Sequence, residues 1–169
     1  MSTELQRVVE TLRNTMDMRT EWRMMNSLPA GAQLKDLPAD LPASLRTFLT
    51  VANGATCGDV SIFSASTAEE MQFYADPISG AEITLGREKW LCCGVIVDDP
   101  FFVNRLSGEV WYFPDTGVEW WKSSSFEKAA DDFTSFFLRF VAGSCYVDVS
   151  ATGREDQWAE LLRQVGLLE

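Results

Sequence analysis

The chain has 169 residues, of which 46% are apolar, and this size and composition predict a single folded domain with a substantial core. It holds 14 basic and 25 acidic residues, a net charge of −11, and residues 61–169 carry −10 of that charge because residues 1–60 hold six basic and seven acidic groups. Such an acidic chain repels a phosphate backbone, so we expect no direct nucleic-acid binding. The excess negative charge either attracts a basic partner or only keeps the protein soluble. The absence of histidine excludes Ser-His and Cys-His catalytic pairs and histidine metal ligands.

Amphipathic helices are predicted in the first third of the chain. Apolar residues recur every three or four positions over residues 5–16, which is the pattern of a helix with one buried face. Prolines make residues 29–42 an irregular loop. The helical spacing returns over residues 45–52, and Asn53-Gly54 predicts the end of this second helix.

The pattern is weaker between residues 60 and 88. Residues 60–63 are a short strand candidate, and residues 78–88 read as a loop with at most one weak strand at 82–85. A capping box also predicts a small helix that ends near residue 74. Its candidate residues are Ser66 or Thr67 with Glu69 or Glu70.

Residues 90–121 predict an antiparallel meander. The apolar run at 90–97, with Gly94 inside it, is typical of a strand buried on both faces, so we place it in the centre of the sheet. Further strand candidates follow at 101–103, 109–113 and 118–121, separated by turn sequences.

The most regular helical pattern covers residues 126–141. Serines at 123–125 offer N-cap hydroxyls, and we expect the aromatic stripe of this helix to cover one face of the sheet. The stripe consists of Phe126, Ala129, Ala130, Phe133, Phe136, Phe137, Phe140 and Val141. A last helix is predicted at residues 154–165, with Trp158, Leu161, Leu162 and Val165 facing inward.

The four cysteines predict buried, unpaired thiols. Cys57, Cys92, Cys93 and Cys145 lack the spacing of a zinc site, and adjacent residues on a strand point to opposite faces. We therefore expect neither a metal ion nor another cofactor. No apolar run typical of a signal peptide or a membrane span occurs, which together with reduced cysteines predicts a cytoplasmic protein that does not bind membranes.

Three pairs of adjacent carboxylates could support acid-base chemistry or metal binding. Two of them have a structural explanation. Glu69-Glu70 is expected in the first turn of a helix, where the helix dipole favours acids, and Asp131-Asp132 on the solvated side of the phenylalanine helix. Asp98-Asp99 falls in a turn at the end of a buried strand, a position that often carries function, although a turn that needs Asp before Pro explains it equally well.

A group of aromatic residues on the meander has two interpretations. Trp120 and Trp121 are neighbours on a predicted strand, so one of them must point away from the core. Trp and Tyr are favoured anchors of binding surfaces, which would suit these residues together with Trp111 and Tyr112. Alternatively, the outward Trp packs under a loop or the terminal helix.

Several short motifs follow one another over roughly residues 22–141. They are Leu41-Pro42 with Leu45, Phe48 and Leu49 leading to Asn53-Gly54, then Gly94 with Asp98-Asp99-Pro100-Phe101-Phe102, then Ser107-Gly108-Glu109-Val110, and Ser125-Phe126. The order and spacing of these motifs resemble the SUKH superfamily, the group of fungal cell-wall assembly regulators and bacterial toxin-immunity proteins. The acidic, glycine-rich stretch that this family usually has ahead of the second strand of the sheet is reduced here to residues 94–99, and the helix near 154–166 is an addition.

The resemblance implies an α+β domain with one mainly antiparallel sheet and helices packed around it, which acts without catalysis as an immunity protein for a cognate toxin. An acidic protein suits a basic nuclease or deaminase toxin. A regulatory scaffold for endogenous partners is the alternative, and an enzyme that uses Asp98, Asp99 and Cys57 is a second one. We expect the partner to bind an acidic turn-and-strand surface that contains Asp98, Asp99, Asp115, Glu119, Trp120 and Trp121.

Overall fold

An antiparallel sheet of six strands, arranged in sequence order from β1 to β6, lies at the centre of the α+β domain described by the computed structural model. The structure describes residues 1–114 and 117–169, apart from the Arg154 side chain. The strands are β1 (Ala55–Cys57), β2 (Val60–Ile62), β3 (Trp90–Ile96), β4 (Asp99–Asn104), β5 (Val110–Tyr112) and β6 (Glu127–Ala130). The predicted fold class and the central position of β3 are confirmed.

Helices surround the sheet, and in the described residues none is both long and apolar enough to cross a membrane. The α-helices are α1 (Glu4–Met16), α2 (Thr20–Met25), α3 (Ala43–Val51), α4 (Ala65–Glu70), α5 (Phe133–Phe136), α6 (Tyr146–Val149) and α7 (Gln157–Gln164). Helix α5 continues as one π-helical stretch, Phe137–Val141. Short 3-10 turns occupy Leu34–Asp36, Gln72–Ala75, Trp120–Lys122 and Gly153–Glu155.

Both faces of the sheet are buried, as the continuous apolar run of β3 predicts. The larger apolar cluster lies between the sheet and the helices, where the Phe137 ring packs 4.9 Å from the Phe48 ring of α3 and the Phe136 ring lies 4.9 Å from the Phe101 ring of β4. The smaller cluster covers the opposite face and is rich in aromatic rings. Its buried members are Ala75, Leu85, Trp90, Cys92, Phe102 and Phe113.

Adjacent cysteines of β3 point into different clusters, as predicted. Cys92 belongs to the smaller cluster and Cys93 to the larger one. All four cysteines are free; three are buried, whereas Cys145 is half-buried. Burial raises the pKa of the Cys92 thiol to about 12, so this group stays protonated near neutral pH.

Gly94 lies at a β-bulge in β3, opposite β4, where neighbouring strands approach closely. The register shifts there, so that Cys92 faces Phe102 while Gly94 faces Phe101. A Cβ atom at Gly94 would overlap the Ser61 carbonyl oxygen of β2 and the Phe101 ring. Only glycine lets these three strands approach so closely.

The predicted helix over residues 126–141 is wrong in its first part. Residues Glu127–Ala130 form strand β6, paired with β5, and the helix begins only at Phe133. The Asp132 side chain caps it by accepting a hydrogen bond from the Ser135 N–H at 2.7 Å. Asp131-Asp132 therefore precedes the helix instead of lying on its solvated side.

Three other local predictions are also wrong. Residues 118–121 form no strand, because Trp120–Lys122 is a 3-10 turn. The cap of α4 is Ser64, whose hydroxyl accepts from the Thr67 N–H at 3.2 Å, so Glu69-Glu70 closes that helix instead of opening it. The last helix is shorter than predicted because Asp156 caps it. Residues 82–85 form no strand, which agrees with the prediction of a loop with at most one weak strand.

Each edge of the sheet carries a distinct feature. At the β1 edge, Ser27 exchanges two backbone hydrogen bonds with Thr56, at 2.8 and 2.9 Å. At the other edge β6 has only four residues, of which Glu127 and Lys128 are exposed, and the Lys128 ammonium lies 2.8 Å from the Asp131 carboxylate.

Replacing Phe137 with alanine should lower the free energy of unfolding by about 3–5 kcal/mol, because the ring is fully buried between the sheet and α3. Chemical denaturation would measure the change. Phe73→Ala is the matched control, since that ring is 53% exposed and its loss should cost about 1 kcal/mol or less. A Phe137→Ala effect as small as the control would show that the stripe lies outside the core.

Candidate functional site

A cleft of about 580 Å³ opens at one end of the sheet. In a meander of antiparallel strands, the connections after β1, β3 and β5 all lie at the same end of the sheet. The connections after β3 and β5 line the cleft, and the one after β1 is hydrogen-bonded to the β3–β4 turn. The end of α6 and the segment after it complete one wall. The lining residues are Tyr74, Ile96, Val97, Asp98, Asp99, Tyr112, Phe113, Pro114, Gly117, Val118, Glu119, Trp120, Trp121, Asp148, Val149 and Ala151.

The structure brings together five of the six residues expected to bind a partner. Asp98, Asp99, Glu119, Trp120 and Trp121 all line this cleft. They come from the β3–β4 hairpin, where Asp98 lies in the turn and Asp99 begins β4, and from the β5–β6 segment, which the antiparallel order places at the same end of the sheet. The sixth residue, Asp115, lies outside the described residues.

The carboxylates of the cleft are largely unneutralised. Among the described residues, Asp98, Asp99 and Asp148 have no basic group within ion-pair distance, and the described lining residues include no Lys or Arg. The fourth acidic residue of the cleft, Glu119, forms an ion pair with Lys122. The cleft therefore presents uncompensated negative charge.

Asp99 is the least exposed of these three aspartates. It is half-buried, whereas Asp98 and Asp148 are exposed. Burial, followed by the negative charge of Asp98, raises the pKa of the Asp99 carboxyl above its usual value. Asp148 was missed in the sequence, because α6 has only four residues and gives no periodic pattern.

Aromatic rings form the other half of the cleft. Trp120 is half-buried, with its ring 5.9 Å from that of Tyr74 and 5.7 Å from that of Phe113. Trp121 stands perpendicular to Trp120 at 5.8 Å and is 38% exposed. Trp121 is thus the outward member of the pair, although a 3-10 turn and not a strand separates the two side chains.

The β3–β4 turn that carries the aspartates is strained. Val97, the first residue of this two-residue turn, has a φ of 58°, in the left-handed region that a β-branched side chain disfavours. Its N–H donates a 2.7 Å hydrogen bond to the Asp59 carbonyl in the β1–β2 turn. This contact fixes the backbone next to Asp98 and Asp99.

Asp59 joins two walls of the cleft. Besides the bond from Val97, its carboxylate Oδ2 accepts hydrogen bonds from the Ser150 hydroxyl and the Ala151 N–H, both at 2.8 Å. The same residue donates its own N–H to the Tyr146 hydroxyl at 3.0 Å. Asp59 was not singled out in the sequence, although the Gly58-Asp59 dipeptide between two short strands is a hairpin-turn signal that could have identified it.

The residues of the enzyme alternative do not assemble in the cleft. Cys57 is fully buried in the larger apolar cluster and is absent from the cleft lining, whereas Asp98 and Asp99 lie at the surface end of the sheet. Burial also raises the pKa of the Cys57 thiol far above its usual value, which disfavours the nucleophilic thiolate. Within the described residues, no group of three Cys, Asp or Glu side chains is placed to hold a metal ion.

No protein-family model, curated protein or solved structure matches this chain. The SUKH resemblance therefore stays a prediction from the motifs of the sequence. The function has to be argued from the cleft itself.

Replacing Val97 with glycine should raise the free energy of unfolding by about 1 kcal/mol, because glycine adopts a positive φ without steric cost. Chemical denaturation would measure the gain. The control is Val95→Gly in strand β3, where the same substitution should destabilise the protein. Equal destabilisation by both changes would show that the turn is not strained.

Removing the Asp59 carboxylate should loosen the wall formed by residues 148–151. Asp59→Ala deletes two hydrogen bonds to a charged acceptor, so we expect a loss of about 1–3 kcal/mol and faster hydrogen exchange at the Ala151 amide. Asp40→Ala is the control, since that side chain is 81% exposed and should change neither quantity measurably. Unchanged protection of the Ala151 amide would contradict this role.

Proposed function

We propose that this protein is a non-catalytic immunity protein, which binds a basic toxin of the nuclease or deaminase type and thereby neutralises it. The observation that carries the proposal is the cleft, where the unpaired carboxylates of Asp98, Asp99 and Asp148 stand beside the exposed Trp121. Binding surfaces commonly combine an aromatic anchor with charges that match the partner.

The charge of the whole chain supports the same partner class. A net charge of −11 attracts a protein whose own surface is basic, as the surface of an enzyme that holds nucleic acid usually is. Long-range attraction of this kind raises the rate of association and weakens as salt is added. The four free cysteines suit a reducing compartment, so we propose the cytoplasm as the place of action.

The two parts of the cleft would have different roles in the complex. The aspartates lie on the β3–β4 turn and α6, where they steer and orient a basic partner before contact. Trp121 offers apolar area that the complex would remove from water, which slows dissociation. Rates of association and dissociation therefore separate the two contributions.

The proposal is tested with the products of the genes that flank the gene of this protein. Each product would be expressed alone and together with this protein, and cell growth would be measured. We expect one product to be toxic alone, to be harmless in the presence of this protein, and to form a stable complex with it. If no flanking product is toxic or bound, and unrelated endogenous proteins are recovered instead, the protein is a regulatory scaffold.

Neutralising both turn aspartates should slow association with the toxin by about tenfold at low salt, because local attraction to the basic partner is lost. Surface plasmon resonance of the Asp98→Asn/Asp99→Asn protein would measure the rate. The control, Glu4→Gln/Glu10→Gln, removes the same charge from the exposed face of α1 and should have a much smaller effect.

The same instrument should show faster dissociation for Trp121→Ala, with an affinity loss of about 2 kcal/mol, roughly 30-fold. Leu106→Ala is the control, because Leu106 is 89% exposed and does not line the cleft. If affinity is indifferent to the aspartates, to Trp121 and to salt, the toxin binds another surface.

A further inference from the structure

The described lining of the cleft carries negative charge that no basic lining residue balances. This described lining contains four acidic side chains and no basic one, and only Glu119 has an ion-pair partner. Asp99 is half-buried beside Asp98, so two like charges stand together where water is partly excluded. Such an arrangement is stabilised when a cation enters it.

Flat aromatic surfaces stand next to these carboxylates. Trp120 and Trp121 line the cleft at right angles to each other, and Tyr74, Tyr112 and Phe113 extend the aromatic wall. A cation over an aromatic ring is attracted by the electrons of the ring face, most strongly with Trp. The group best suited to the cleft is therefore both cationic and flat.

We propose that the cleft receives an arginine side chain of the partner protein, with the guanidinium stacked on one of the two tryptophan rings and hydrogen-bonded to the carboxylates of Asp98 and Asp99. This inference rests on the proposed function, since the partner is the toxin. A guanidinium is planar, remains charged and presents several N–H donors that match a carboxylate pairwise, whereas the lysine ammonium does none of the stacking.

The cleft is large enough for an arginine that is part of a protein loop. Its volume of about 580 Å³ is in the range of sites that take a ligand of many atoms, which leaves room for residues that flank the arginine. Asp98, Asp148 and Trp121 are exposed around it and can contact a larger partner surface. A polypeptide that projects one arginine would use the cleft and these exposed groups together.

The inference can be tested without the toxin, by nuclear magnetic resonance of the full chain. The probe is a capped Gly-Arg-Gly peptide, and the readouts are the indole N–H signals of Trp120 and Trp121. The matched control is the same peptide with citrulline, which keeps the planar shape and lacks the charge. We expect saturable shifts with the arginine peptide, none with the citrulline peptide, and about tenfold weaker binding to the Asp98→Asn/Asp99→Asn protein.

Other outcomes would overturn the inference. Equal binding of a capped Gly-Lys-Gly peptide would mean that charge alone is recognised and that stacking contributes nothing. Tighter binding of free arginine than of the capped peptide would identify a small-molecule site. Absence of any shift with the arginine peptide would also refute it.

The failure of this inference and the failure of the proposed function are distinguishable. If the peptide leaves the indole signals unchanged, but a flanking toxin binds with an affinity that depends on Trp121, the immunity function is supported and the proposed recognition of arginine is wrong. If the peptide binds as expected but no flanking product is toxic, the chemistry of the cleft holds and its partner is another protein.

Discussion

Strands β3 and β4 lie between two apolar clusters, so both of their faces have to be covered by side chains from elsewhere in the chain. The phenylalanines of α5 and its π-helical continuation cover one face. The other face is covered by aromatic residues that precede β6, among them Phe126, whose ring lies 5.1 Å from that of Trp90. A continuous helix over residues 126–141 would have placed Phe126 on the same side as the phenylalanines of α5, and the second face would have lost the contact between Phe126 and Trp90.

This double burial also determines where the candidate site can lie. Because the faces of β3 and β4 are occupied, their free positions are the turns at the strand ends. Antiparallel order places the turns after β1, β3 and β5 together at one end, and Asp59 connects the first two of them. The charged groups of the cleft are thus attached to the core, because Asp99 begins β4 and Asp98 lies in the turn next to it.

The sequence predicts those features that depend on burial along one element. The alternation in β3 places Cys92 and Cys93 in opposite clusters, and the period of Phe133, Phe136 and Phe137 identifies a helix. The start of that helix was misplaced because Ala129 and Ala130 continue the same spacing by coincidence. The Asp132 cap and the pairing of β6 with β5 determine where the helix begins. Of these two, only the cap can be read from the neighbouring sequence.

The site was predictable to the extent that it follows from the meander. Asp98, Asp99 and the tryptophans line one cleft because alternate hairpins of a meander lie at the same end of the sheet. Asp148 and the bonds of Asp59 to residues 150 and 151 could not be predicted, since they depend on where the chain travels after the last sheet-covering helix. Which tryptophan is exposed depends on a 3-10 turn that periodicity does not reveal.

The two edges of the sheet have a consequence for how any partner reaches this fold. At the β1 edge, the backbone groups of Thr56 are already bonded to Ser27, and at the other edge β6 is short and carries exposed charges. Both features oppose strand addition, in which a foreign peptide extends the hydrogen-bonded ladder of a sheet. Recognition through the backbone is general and tolerates many sequences, whereas recognition through side chains in a cleft discriminates between them. With both edges protected in this way, the sheet resists indiscriminate association with other extended chains.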